Sequence, residues 1–269
     1  MSGIPLVAVH GYPLDRRLWD PLAARARNGA LGGITSLFAP DLRGRGNSAR
    51  PAVALHAMSL LADDVAEEIG TALPKDAPFL LAGLSMGGYV CFELLKRHGA
   101  RIRGRLRGLA LFDTKATSDD DAGRAKRKEA IEAIRKDGIG AALAAMLPKL
   151  LAPGAGGSAA EDVARRMILS TPPATAMADL AGLAVRDEGF EVLAAWDRPL
   201  LVAVGEEDAI TPPSDAEAMT AVATRAPWVK LLAVPGAGHL VPLEQPDEAA
   251  AGLIALAEAA GRFTSPTPR

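Results

Sequence analysis

Ser85, Asp208 and His239 are the residues whose types, order and surroundings could together do chemistry. A serine hydroxyl is a weak nucleophile until an imidazole accepts its proton during attack. A carboxylate on the other ring nitrogen then fixes the tautomer and stabilises the imidazolium that forms. Ser85 stands in GLSMGG, Gly83 to Gly88, after the apolar run FLLA and before a helical pattern. Gly83 and Gly87, two residues to either side, leave space for a tight strand-to-helix crossing that strains the serine backbone. Asp208, in GEEDAITPP, follows the run LLVAV; His239, in GAGHLVPLEQP, follows VKLLAV. A bare G-x-S-x-G also describes an N-cap serine in a glycine-rich turn. Three such residues at strand ends, in the order Ser, Asp, His, argue instead for acyl transfer with Ser85 as nucleophile, His239 as general base and Asp208 as orienting acid.

The turn HGYP, His10 to Pro13, follows the first apolar run and would present the Tyr12 amide toward Ser85. With the Met86 amide it would form an oxyanion hole of two backbone donors. Glu206, Glu207 and Asp113 are rival acids, read as surface or loop-capping carboxylates. His10 is read as a hydrogen-bonding scaffold for its glycine turn rather than a second base. Candidate pocket residues are Leu147, Trp196, Ile210 and Leu240 beside Tyr12 and Met86, with core packing the competing role for Leu147 and Trp196. The histidines, His10, His56, His98 and His239, are dispersed and share no ligand spacing with the single Cys91, so neither a metal nor an organic cofactor is expected.

Elements that could position these residues are legible as periodicity. Short apolar runs at Pro5 to Val9, Ile34 to Ala39, Phe79 to Ala82, Leu106 to Phe112, Leu200 to Val204 and Val229 to Val234 read as buried strands. Between them lie amphipathic helical patterns, one over Ser59 to Leu73 with Ser59 as its start, another after Ser85. Strand then helix, repeated, predicts a parallel sheet covered on both faces. From Thr114 to Trp196 the strand rhythm stops, and amphipathic helix broken by LAPGAGGS and STPPA takes over. Residues 1–113 and 197–269 are thus expected to form the core, and residues 114–196 a helical insertion. The charge run Arg124 to Glu129 reads as a solvated helix face, and the polar tail TSPTPR as frayed.

The 269 residues are 49% hydrophobic and 23% charged, ordinary for a soluble globular chain. A formal charge of −2 offers no electrostatic reason for a nucleic-acid or anionic-membrane partner. No apolar run approaches the roughly 18 residues of a membrane span. With one cysteine and no basic, apolar leader, a cytoplasmic protein is expected.

Together HGYP, DLRGRGNS at Asp41 to Ser48, GLSMGG, GEEDAITPP and GAGHLVPLEQP resemble the α/β-hydrolase superfamily over nearly the whole chain, especially small bacterial carboxylesterases and 3-oxoadipate enol-lactonase-like hydrolases. The resemblance implies an α/β-hydrolase fold with a helical cap inserted after the family's sixth strand, which is where residues 114–196 fall. Relatives carry an antiparallel hairpin ahead of the HG-x-P strand. This chain starts almost at that strand, so a mainly parallel sheet of about six strands is expected.

Serine at the turn separates the chain from the dehalogenase and epoxide hydrolase branches, which the resemblance associates with an aspartate nucleophile. Tyr12 and Tyr89 are the only tyrosines, and neither lies in the cap. The expected activity is hydrolysis of a small carboxylic ester or lactone through an acyl-enzyme on Ser85. The alternatives are an acyltransferase or perhydrolase using the same triad, and a slow-turnover ligand receptor on the same fold. The protein is expected as a monomer or homodimer.

Overall fold

The computed structural model describes residues 3–262; the tail TSPTPR lies outside them. Six strands form one sheet: β1 (Ile4–Val9), β2 (Ile34–Phe38), β3 (Phe79–Leu84), β4 (Leu106–Phe112), β5 (Leu200–Gly205) and β6 (Val229–Val234). Their order is β2-β1-β3-β4-β5-β6 and every pairing is parallel. β3, β4 and β5 are buried along most or all of their length, which is why they read as continuous apolar runs rather than alternating ones.

The period of two sorts these side chains onto two faces. Phe79, Leu81, Leu109, Leu111, Val202 and Val204 point into one core with Leu61, Val65 and Ile69 of α2 (Met58–Ala72) and Val90 and Leu94 of α3 (Met86–Ile102). Leu80, Ala82, Leu84, Ala110, Phe112 and Ala203 point into the other, with Leu22 of α1 (Asp20–Arg27) and Leu253 and Leu256 of a C-terminal helix (Pro246–Arg262). The helix expected from Ser59 begins at Met58 instead. Ala57 is its N-cap, no side chain caps it, and Ser59 lies within the first turn.

Between β4 and β5 the chain is wholly helix and loop: α4 (Asp121–Asp137), α5 (Ile139–Leu150), α6 (Ala159–Ser170), α7 (Pro173–Ala184) and α8 (Phe190–Ala194). The sequence breaks LAPGAGGS and STPPA fall at the α5–α6 and α6–α7 joints. Only Ile134 of α4 is fully buried, so its charge run does lie on a largely solvated face. After β5 come α9 (Pro213–Val222) and, past β6, the short α10 (Val241–Glu244); the C-terminal helix is therefore α11.

The strand order reverses between β1 and β3. The chain moves outward from β1 to β2, then crosses back to β3. Crevices at the carboxyl ends of an open parallel sheet form at such a reversal. HGYP and GLSMGG leave the carboxyl ends of these two strands.

Candidate active site

Ser85 joins β3 to α3 with φ 53° and ψ −117°, a left-handed conformation that ordinary residues avoid. It occupies the N-cap position of α3, yet its side chain makes no capping bond. The conformation is held by the backbone: the Ser85 amide donates to the Phe112 carbonyl at 3.0 Å, and the Gly88 amide to the Ser85 carbonyl at 2.8 Å. The Thr114 hydroxyl donates to that same carbonyl at 2.8 Å. The glycines follow from crowding. A Cβ at Gly83 would lie 2.6 Å from the Gly87 carbonyl carbon, and one at Gly87 would lie 2.8 Å from that of Val9.

The HGYP turn reaches the same point. A Cβ at Gly11 would stand 3.1 Å from the Ser85 Cβ. Met86 begins α3, where the first amides have no intrahelical acceptor. The Tyr12 amide donates to no protein acceptor among the described residues. His10 is fully buried, with Nε2 accepting the Leu42 amide at 3.0 Å and Nδ1 lying 3.0 Å from the Gly11 carbonyl. Burial, reinforced by the Arg45 charge, pushes its pKa down to about 4. A neutral imidazole with both nitrogens engaged serves as a scaffold for the turn.

On the other side of the reversal, His239 Nδ1 lies 2.7 Å from Asp208 Oδ2, with both residues buried. Asp208 Oδ1 accepts the amides of Ile210 and Thr211 at 2.8 and 3.0 Å. The Thr211 hydroxyl donates to Asp208 Oδ2 at 2.7 Å and stands 3.3 Å from His239 Nδ1. Burial raises the Asp208 pKa, but the His239 charge and the His239 and Thr211 hydrogen bonds outweigh it and hold the carboxyl below its usual range. Asp208 therefore meets the imidazole as an anion.

Of the rival acids, Asp113 stands nearest this pair. It is fully buried and left-handed, with φ 44°. Its Oδ1 accepts the Gly205 amide at 3.0 Å and its Oδ2 the Val241 amide at 3.1 Å. It therefore caps loops, as the sequence suggests, but from the interior rather than the surface. Burial and the Asp208 charge push its carboxyl well above the ordinary range, against the pull of the two amides. Thr211, Thr114 and Glu244 are the polar supports that motif reading passes over. Only Thr211 leaves a local signal, as the fourth residue of D-A-I-T, a spacing that forms an aspartate-capped turn.

Among the proposed pocket residues, Leu147 of α5, Ile210 beside Asp208 and Leu240 beside His239 pack in one apolar cluster with Leu150 and Leu151. Trp196 does not join them. It precedes β5, its Nε1 donating to the Pro199 carbonyl at 3.3 Å. There it lines a cavity of about 260 Å³ with Leu95, Arg103 and Leu106. That cavity lies at the amino ends of β4 and β5, across the sheet from Ser85, so the assignment of Trp196 to the substrate pocket is corrected. Its position directly before a strand places it at the wrong edge. Among the described residues no group of three or more His, Cys, Asp and Glu side chains could hold a metal ion.

A parallel sheet with a strained serine at a strand-to-helix turn, and an Asp–His pair beyond it, defines the α/β-hydrolase class, and the chain belongs to the alpha/beta hydrolase family, whose model matches residues 6–252. Within that family it is 34% identical to a thermophilic esterase from Thermogutta terrifontis, whose structure superposes with a TM-score of 0.82, covering 96% of this chain and 91% of that one. It is 28% identical over 274 residues to a pimeloyl-[acyl-carrier protein] methyl ester esterase of Xanthomonas campestris pv. campestris, covering 99% of this chain and 97% of the relative. The enol-lactonase from Burkholderia xenovorans LB400 shares the fold at a TM-score of 0.78 and 21% identity, covering 94% of this chain and 91% of that one.

Proposed function

We propose that this protein is a serine hydrolase that cleaves a small carboxylic ester or lactone through an acyl-enzyme on Ser85. The observation that carries the reading is the buried 2.7 Å contact between His239 and Asp208 on the sheet edge where Ser85 is held at φ 53°. His239 takes the Ser85 proton as the hydroxyl attacks the substrate carbonyl, and Asp208 stabilises the imidazolium without taking that proton. The Tyr12 and Met86 amides bind the oxyanion of the tetrahedral intermediate. His239 then protonates the leaving alcohol, activates water and releases the acid.

Leu147, Ile210 and Leu240 offer the acyl chain an aliphatic wall, and residues 114–196 act as the cap over it. Relatives named as esterases support ester cleavage, and the 34% identity to one of them extends over almost the whole chain. An enol-lactone and a series of p-nitrophenyl esters, compared between wild type and Ser85→Ala over many turnovers, test the reading. Steady turnover by wild type that falls to background in Ser85→Ala is expected; turnover that survives the substitution overturns the assignment. Faster opening of the lactone than of any ester places the enzyme with the lactonases, and the converse with the general esterases.

A further inference from the structure

The loop that carries His239 is held by groups outside it. Four successive amides are all engaged: Gly238 and Leu240 donate to Glu244 Oε1 at 3.0 and 3.2 Å, His239 to the Leu150 carbonyl at 2.9 Å, and Val241 to Asp113. The bonds from Gly238 and Leu240 are those of a carboxylate within the single turn of α10 that reaches back to the amides preceding that turn. Local capping does not account for the third donor. Glu244 Oε2 accepts the amide of Ala152, 92 residues away, at 2.7 Å. Ala152 lies just past the end of α5. Its neighbour Leu151 presses on the histidine loop so closely that a Cβ at Gly238 would lie 2.5 Å from the Leu151 carbonyl carbon.

Two ties therefore run between the insertion and the histidine loop, the His239 amide to Leu150 and the Ala152 amide to Glu244. Resting on the triad reading above, we propose that Glu244 is a positioning residue for His239, fastening the histidine loop to the end of α5 so that the imidazole and this end of the insertion move as one body. Glu244 touches neither substrate nor reacting atoms. It sets where the imidazole stands by filling both sides of the joint, and an error of about 1 Å at a proton-transferring group costs on the order of 100-fold in rate.

Glu244→Gln and Glu244→Ala in the full-length chain separate the two halves of this role. In Glu244→Gln the amide oxygen still accepts from Gly238 and Leu240, while its NH2 opposes the Ala152 amide. Hydrogen exchange at residues 151 and 152 is expected to quicken, with the far-downfield proton of the His239–Asp208 bond retained in the NMR spectrum. In Glu244→Ala that resonance is expected to broaden or vanish, and kcat for p-nitrophenyl acetate to fall about tenfold or more while KM stays within about twofold. Unchanged exchange at 151 and 152 in Glu244→Gln overturns the proposal. So does a Glu244→Ala protein that keeps both resonance and kcat and loses only thermal stability. If wild type lacks Ser85-dependent turnover, the proposed hydrolase activity fails while the exchange and resonance measurements still decide this one.

Discussion

His10 is cut off from water and held neutral, and this makes it a source of acid sensitivity distinct from the proposed triad. Its pKa falls from 6.5 to about 4 on folding. Above 6.5 the folded and unfolded chains are both neutral at this site. As pH drops toward 4 the unfolded chain takes up a proton that the folded chain refuses, so stability is lost across that window. Between about pH 7 and about pH 5 the loss from this residue is about 2 kcal/mol. Urea titrations at these two pH values should show His10→Gln less stable at neutral pH but flatter across the interval; an unchanged pH slope would count against the buried neutral imidazole. Motif spacing singles out Ser85, Asp208, His239 and His10 as candidates because each lies beside a strand end. It reads Asp113 only as a surface or loop-capping carboxylate and passes over Glu244, because the segments they join, Gly205 and Val241 for the one and Ala152 for the other, are distant in sequence, and an amide leaves no trace in the residue type that carries it.

At the scale of elements, the turn between β3 and α3 depends on contacts that no side chain can share. Gly87→Ala brings a Cβ against the Val9 carbonyl, 2.8 Å from its carbon, in the central part of the sheet where backbone cannot yield. A loss of about 3 kcal/mol or more is expected by urea denaturation. At Gly99, in the same helix, an added Cβ would meet nothing within 4 Å, and Gly99→Ala should stabilise the protein by about 0.5 to 1 kcal/mol. Equal effects at the two sites would contradict the crowding at the turn. β3, β4 and β5 are legible because burial on both faces writes itself as a nearly uninterrupted apolar run, whereas β2 and β6, at the sheet's edges and partly exposed, are legible from their apolar majority and their place in the alternation of strand and helix. The start of α2 reads one residue late because Ser59, a good capping type, lies inside the helix and a plain alanine occupies the cap. Trp196 reads as a pocket residue because apolar residues near the insertion look alike in sequence whether they precede a strand or follow one.

At the scale of the whole molecule, the insertion is bound into the core by buried charge. Arg45, from the loop after β2, forms an ion pair with Asp179 of α7, and the two side chains are 1% and 0% exposed. His56 Nδ1 lies 2.7 Å from the same carboxylate. The Thr171 hydroxyl donates to the Pro13 carbonyl at 2.8 Å, beside the HGYP turn. Removing the carboxylate in Asp179→Ala leaves the Arg45 charge buried and unpaired, which should cost about 3 to 5 kcal/mol. In wild type, far-UV circular dichroism and tryptophan fluorescence are expected to report one coincident urea transition. A separate early transition from the helices between β4 and β5 would mean that the insertion folds on its own. These joints bear on how such enzymes diversify. An exchange of the helical segment between relatives, cut at the ends of β4 and β5, would bring in a foreign partner for the stretch around GHLVPLE. Recombination that keeps the histidine in place has to inherit residues 150–152 and 238–244 together, so two stretches nearly ninety residues apart form a single heritable unit.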